Sequence, residues 1–554
     1  MLVKSCCGGI TRPVVTREGQ NMRSLRIPVL TLFVALAVVA GACGGPTTGP
    51  GASGGPGGTA AAAAKYGGTI TFGLENDVSN LDPMLSGLFV DRNIHYMMYD
   101  SLVRVNTKGD IIPWLAEKWT TSSDGKTITF NLRQGVKYHD GTAFDAASVK
   151  WNIERYKNTK GSSRTGDLGA VATVDVVDTY TVKFNLSAAF APLLAALVDR
   201  AGMMVSQKVA DAMGADFTLK PFKAGTGPFI LTEAVKTDHY TLERNPDWWG
   251  KDDKGNKLPF LDKIIVKPIL DSDVRLTNLR TGQVQVLNGI AGKDVPALKA
   301  DTSLTYQEVG SFAWSSMIPN EAQGFIFNEK RYVKAVAMAI DRQEILDKGP
   351  TQGNLGLVGY GPIAPAHFAY DPNFKPWPKA DPEGAKKLIA EVGKPLKFEL
   401  LVSSGDAGLL QLAQLIQAEL KKADIEAEIK TQLFNDIVTL QQSHKHLGMT
   451  LIGWSGRLDP DGNTYDFVVT GKTNNDSSYS NKQVDDLMNQ QRTESDPAKR
   501  KTLLQQAQQI YVVDDPSRVW FQFGASPIVT AKNVTGMVSY ADRIPRFETA
   551  QLSK

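Results

Sequence analysis

From residue 66 onward the chain switches repeatedly between two periodicities. Thr69–Leu74, TITFGL, alternates apolar and polar positions as a strand does, and so do 127–132, 240–244 and 264–268. Residues 174–186 read as the two strands of a hairpin. Other stretches repeat every three or four positions. Residues 89–103 place Ile94, Met97, Met98 and Leu102 on one face, and 330–346 form an amphipathic helix around KAVAMAIDRQEIL. Asp145 caps a helix over 145–155, and a helix over 381–393 starts at Asp-Pro and stops at Gly393. Residues 397–402, 409–423 and 425–431 spell strand, helix, strand, which predicts a parallel β-α-β unit. A short helix opening at Ile112, helices over 273–282, 484–494 and 499–514, and strands at 284–287 and 519–523 complete the pattern. No period of 20–50 residues recurs, so the chain is not a repeat protein. The pattern predicts a mixed α/β fold of several lobes.

The stretch 451–467, LIGWSGRLDPDGNTYDF, stands apart. A short apolar strand ends in Gly453, Trp454, Ser455 and Gly456, and a charged DPDGN segment reads as a turn. Small residues beside an indole let another molecule's backbone approach while a flat ring covers it. The same residues also fit a plain strand, a buried Trp and a turn.

Composition narrows the picture. The 554 residues are 42% hydrophobic and 21% charged, enough for more than one core. The formal charge of +3 comes from the front end. Residues 1–42 carry Lys4, Arg12, Arg17, Arg23 and Arg26 against Glu18 alone, leaving 56 basic and 57 acidic residues behind them. A nearly neutral body gives no basis for nucleic-acid binding. Residues 27–40, IPVLTLFVALAVVA, are apolar and too short to span a bilayer comfortably. They follow Arg23 and Arg26 and precede Gly41-Ala42-Cys43, as in a secretory signal, with Met22 the more typical start. Cys43 sits where a bacterial lipobox places its lipidated cysteine, although Ala40 replaces the usual Leu. With Cys6 and Cys7 in the segment removed, Cys43 is the last cysteine, so no internal disulfide, thiolate metal site or cysteine nucleophile remains. Residues 43–65 then form a lipidated Cys and a Gly/Pro/Ala tether, which predicts display on the outer face of the cytoplasmic membrane or in the periplasmic space.

Six motifs in order carry a resemblance. They run from GGTITFGLENDVSNLDP, YDSLVRVNTKGDIIPWLAEKW and SSDGKTITFNLRQGVKYHDGTAFDAASVKWNIER to GTGPFILTEAVKTDHYTLERNPDWWG, then RYVKAVAMAIDRQEIL and DPEGAKKLIAEVG. Over residues 67–545 the chain resembles the family 5 solute-binding proteins, the peptide/nickel class of receptors for ABC importers. The resemblance implies a two-lobed α/β fold of periplasmic-binding-protein type, with a sub-lobe inserted in the first lobe and ligand enclosed between the lobes. It divides the chain into a first lobe of 66–108, 226–316 and 520–554, a sub-lobe of 109–225 and a second lobe of 317–519, with crossings at 316–320 and 516–522. It also implies a monomer that takes a small-molecule or peptide ligand and hands it to permease and ATPase subunits, without cofactor, metal or catalytic residue. Most of the motif residues, including Gly225, Gly227, Asp140-Gly141, Trp248 and Trp249, read as structural.

In the family's peptide receptors, one strand-like segment after the LDP motif, here 84–90, and the Gly-Trp stretch bond to the ligand's backbone. The resemblance thus implies ligand contact at Phe89, Gly453, Trp454 and Ser455, with Trp314 and Asn320 as further contacts. Peptide receptors place an Asp three residues after the Trp to hold the ligand's ammonium. This chain has Arg457. A guanidinium there favours an acidic or hydroxyl-rich partner, unless it pairs internally with Asp459 or Asp461. Asp459 or Asp461 is the alternative ammonium partner. Oligopeptide is the family's usual ligand; an acidic or blocked peptide, an opine-like conjugate, an oligosaccharide or chelated nickel are alternatives. A sensory receptor of the same fold and an exported hydrolase are the competing classes. The hydrolase has no GxSxG or HExxH motif behind it, and His444-Lys-His446 reads as a solvated turn.

Overall fold

A computed structural model describes residues 65–404 and 407–553. The expected signal sequence, Cys43 and most of the tether lie outside the described residues.

One mixed sheet of eleven strands forms the backbone of the molecule. At its first-lobe end, Thr69–Leu74 lies parallel to Lys263–Pro268 and Val286–Leu287, with Ile70, Phe72 and Leu74 fully buried. His239–Arg244 and Phe229–Val235 extend this end antiparallel. At the second-lobe end, Lys397–Ser403 and Glu426–Gln432 run parallel, joined by the helix Ala407–Lys421, which is the β-α-β unit the periodicity predicts. Between the ends lie two long antiparallel strands, Leu304–Pro319 and Val519–Ala531, in register from Leu304↔Ala531 to Met317↔Val519. Their pairing breaks between Gly310 and Trp314. These strands contain the stretches 316–319 and 519–522, which overlap the crossings expected at 316–320 and 516–522.

Each region buries its own apolar surface. Phe72, Ile94 and Leu242 centre the first lobe. A separate antiparallel sheet of Ala116–Thr121, Thr127–Leu132, Thr181–Leu186 and Val171–Asp178 packs under the helix Ala146–Asn158, around Phe130, Ile153 and Phe184. Val336, Leu400, Ile416 and Leu451 form another cluster, and Trp314, Phe467, Tyr511 and Trp520 a further one. Gly225 and Gly227 are required where the chain passes the end of helix Phe89–Met98: a Cβ at Gly225 would lie 1.8 Å from the Met98 carbonyl oxygen.

Several expectations fail locally. Residues 112–116 are not helical: Ile111–Pro113 pairs with Val103–Val105, because Asn106 Oδ1 accepts from the Lys108 and Asp110 amides and closes a hairpin. The helix expected over 89–103 therefore stops at Met98. The helix over 330–346 is two, Lys330–Ala339 and Arg342–Lys348; Asp341 leaves helical geometry and caps the second by accepting from the Gln343 and Glu344 amides. His446 is not solvated but 2% exposed, and burial lowers its pKa to about 4. No helix among the described residues is long and apolar enough to cross a membrane.

Candidate functional site

The strand Met449–Trp454 pairs with Leu304–Pro319, so Trp454 is the register partner of Trp314 and Gly453 of Ser315. Both indoles pack edge-on against Phe467, with centroids 5.0 Å (Trp454) and 5.2 Å (Trp314) away. Trp314 is buried, Trp454 is half-buried and Gly453 is exposed. Neither indole N–H has a partner among the described residues. The strand stops because the chain turns sharply: Gly456 has φ +82°, and a Cβ there would meet Phe312 at 2.4 Å.

That turn presents Arg457. Its amide donates to Asn463 Oδ1 at 2.8 Å, and its carbonyl accepts from His367 Nε2 at 2.9 Å. His367 Nδ1 accepts from the Ala364 amide, which fixes the neutral tautomer with its proton on Nε2. The ring stacks on Phe312 at 4.9 Å. The Arg457 guanidinium lies over the Trp454 ring, and Nη1 donates to the Gly456 carbonyl at 2.8 Å and to Ser455 Oγ at 3.4 Å. No carboxylate among the described residues makes an ion pair with it, so the internal bridge to Asp459 or Asp461 is overturned. Asp459 is clamped by Arg500 through two 2.6 Å bonds, and Asp461 by Arg492 at 2.8 and 2.9 Å. The DPDGN segment is not a free turn either: Asp459 Oδ1 accepts from the Asp461 amide, and the helix Asp461–Val468 begins there. Its Asn463 donates to the carbonyls of Phe312 and Pro362.

Asp199, Arg92 and Arg164, whose charges act on Arg457, gather around the segment after LDP. Ser86 O accepts from Arg164 Nη2 at 3.1 Å and Arg200 Nη1 at 2.9 Å, so two buried cations hold the turn. Arg92 pairs with Asp199 at 3.1 Å and Arg164 with Asp167 at 2.9 Å. Burial lowers the Arg457 pKa to about 10; Asp199 opposes that shift, while Arg92 and Arg164 add to it. Asp199, despite burial, is held well below the carboxylate range by Arg92, Arg200 and Arg457. Segments distant in sequence meet here: the Ala191 amide donates to the Arg492 carbonyl at 2.8 Å, and Leu458 packs against the core around Phe130, Ile153 and Phe184.

Phe89 opens the helix Phe89–Met98, half-buried, with the Arg543 guanidinium 4.7 Å from its ring centroid. Asn320 lies apart from this group: it is fully buried, and its amide donates to the carbonyls of His444 and His446. The structure thus gathers Gly453, Trp454, Ser455, Arg457 and Trp314 on one side and puts Asp459 in an internal ion pair. Sequence reasoning missed Arg92, Arg164, Asp199, Arg200 and His367, which come from distant segments and carry no motif. No group of three or more His, Cys, Asp or Glu among the described residues is arranged to hold a metal ion.

Residues 110–477 match the model of the bacterial extracellular solute-binding proteins, family 5. The chain belongs to this family. Family 5 proteins are binding proteins of ABC importers, and the two-lobed fold is theirs. Among its relatives is a glutathione-binding protein, GsiB, of Shigella boydii serotype 4, 28% identical over 497 residues, covering 86% of this chain and 93% of the relative. Among solved structures, the periplasmic binding protein DppA of Helicobacter pylori in complex with the peptide STSA superposes with a TM-score of 0.78 at 25% identity, covering 89% and 99% of the two chains. The oligopeptide-binding protein AppA of Bacillus subtilis with a nonapeptide gives 0.77 at 21%, covering 89% and 100%.

Proposed function

We propose that this protein is a lipid-anchored receptor that captures a peptide-like solute bearing an acidic group and delivers it to the permease of an ABC importer. The observation that carries the reading is Arg457: a half-buried guanidinium at the contact between lobes, stacked on Trp454, with which no carboxylate among the described residues makes an ion pair. An unpaired cation inside a closing cleft is costly, and a ligand carboxylate removes that cost only when the lobes are shut. Closure then reports occupancy to the permease without any chemistry on the ligand. Gly453 and Ser455 offer main-chain groups to a peptide-like backbone, and Trp454 offers a ring face. The glutathione named for GsiB and the peptides held by DppA and AppA support a peptide-like ligand; Arg457 favours the acidic members of that class. Phe89 is assigned to the wall of the cleft and the buried Trp314 to the packing behind Trp454, and the lobe boundaries read from the sequence serve this arrangement.

The test is calorimetry on the ligand-stripped full-length protein in detergent, with free-amine peptides, N-acetylated peptides, acidic peptides including glutathione, oligosaccharides, opine-like acids and nickel with histidine. Acidic peptides bind, and Arg457→Asp abolishes binding. Tight binding of neutral peptides that survives Arg457→Asp sinks the reading. Loss of membrane association in Cys43→Ala checks the anchor.

A further inference from the structure

Behind the Trp454 ring lies a polar cluster with no part in holding Arg457. Phe467 packs against Trp454, and the Arg518 guanidinium lies 5.0 Å from the same Phe467 centroid and 5.8 Å from that of Trp314. One aromatic layer therefore separates Arg518 from the half-buried Trp454. Arg518 directly precedes the strand Val519–Ala531 and is 1% exposed. Its Nη2 donates to the Asn474 carbonyl at 2.8 Å, whereas Nε and Nη1 have no partner among the described residues. No carboxylate among the described residues makes an ion pair with it.

Neighbouring polar atoms are in the same condition. Trp314 is opposed to Trp454 and Ser316 to Trp520 on adjacent strands; opposed residues share a sheet face, as do positions two apart. The indole N–H groups of these three tryptophans and Ser316 Oγ are buried without a partner among the described residues. Glu321, 4% exposed, has no hydrogen bond at either carboxylate oxygen. Its one ion-pair contact is Lys330 at 3.9 Å, and Lys330 is held by Asp515 at 2.8 Å. Each buried polar group left without a hydrogen bond costs about 1–3 kcal/mol, so several on one sheet face, reaching from the Trp454 wall inward, mark a place suited to a polar occupant.

Charge selects that occupant. Burial lowers the Arg518 pKa to about 10, and Asp476 and Glu321 oppose the shift. Two acids thus already offset the guanidinium without bonding to it, and a further carboxylate would be repelled by both. A neutral group that accepts at one end and donates at the other suits a cation facing an acid: a carboxamide, whose oxygen takes an Arg518 N–H and whose nitrogen donates towards Glu321.

We propose that the buried cluster of Arg518, Trp314, Ser316 and Glu321 is a side-chain subsite for a carboxamide, entered from the cleft between Trp454 and Phe467, so that the receptor favours peptides bearing glutamine. This rests on the peptide-like reading of the cleft and specifies one side chain of the ligand.

The test is calorimetry on the ligand-stripped full-length protein with Ala-Gln, Ala-Glu and Ala-Met, which match in side-chain length and differ in polarity and charge. The expected result is that Ala-Gln binds roughly tenfold or more tightly than either of the others. Arg518→Met, which keeps the length of the side chain, brings the three affinities to within about threefold of one another. Should Arg518→Met fail to fold, Glu321→Gln decides, lowering the preference for Ala-Gln over Ala-Met several-fold. Equal affinities in the parent protein, or a preference that survives the variant, show that the cluster supports the fold alone and overturn the subsite. If that happens while Arg457→Asp still abolishes binding, the Arg457 reading stands; if no peptide in the series binds, both fall.

Discussion

The Arg457 guanidinium carbon lies 4.3 Å from the centroid of the Trp454 ring, three residues earlier in the chain. The pair turns one corner of backbone into a cation laid on an aromatic plate. The ring face stabilises the guanidinium by about 1 kcal/mol, too little to offset its burial without an anion.

Arg457→Gln is therefore expected to separate binding from stability. Acidic-ligand affinity falls by about 2–5 kcal/mol, because a charge-assisted contact is lost. Unfolding free energy changes by only about 1 kcal/mol, because no ion pair is broken and only the Nη1 bonds to the Gly456 carbonyl and Ser455 Oγ are lost. Calorimetry and urea denaturation on the same variant check both halves.

Asp459 and Asp461 behave the opposite way. Each neutralises a largely buried arginine, Arg500 and Arg492. Asp459→Asn or Asp461→Asn strands that cation and lowers stability by about 3 kcal/mol, measured by urea denaturation. A variant as stable as the parent would show that the pair is not part of the fold's support.

Asp100 is a second test of buried polar packing. One oxygen accepts from Trp114 Nε1 at 2.7 Å, and the other accepts from Trp248 Nε1 at 3.0 Å and Trp249 Nε1 at 3.2 Å. Asp100→Ala leaves three indole donors without an acceptor and costs about 3 kcal/mol or more, whereas Asp100→Asn keeps one acceptor and costs less. Denaturant midpoints of the two variants give the ranking.

Acid weakens the fold through buried histidines. Burial lowers the pKa of His139, His367 and His446 from 6.5 to about 4, and of His95 to about 3. A base with a lowered folded pKa contributes stability above its unfolded value and loses it as pH falls. Unfolding free energy thus declines from pH 6.5 towards pH 4, each residue accounting for up to about 3 kcal/mol. Urea denaturation at steps across that range reads the decline, and His367→Gln reduces its slope by the share of one proton.

Much of the secondary structure was legible because the signals are local. Asp145 caps its helix through a reciprocal box with Ser148, and Gly393 ends another with φ +81°, as the sequence indicated. The misses have equally local causes that compete with periodicity. Ile111–Pro113 pairs back across the Asn106 turn as a strand where a helix was expected to open at Ile112, and Asp341 caps a new helix inside an amphipathic stretch. The candidate site was half legible. Trp454 and Arg457 share one motif and were visible together, but nothing in the sequence said whether Asp459 and Asp461 would neutralise Arg457 or other arginines.

By itself, then, the sequence determined the alternation of strands and helices, the family motifs and the charge reversal at Arg457, since each depends on residues within a few positions of one another. Only the tertiary structure decided which charges meet. Arg500 and Arg492 come from beyond the site to take Asp459 and Asp461, while Arg164, Arg200 and Arg543 come from three separate segments to surround the Ser86–Phe89 turn. Ion pairing acts through space over a few ångströms, and the spacing of residues along the chain does not encode it.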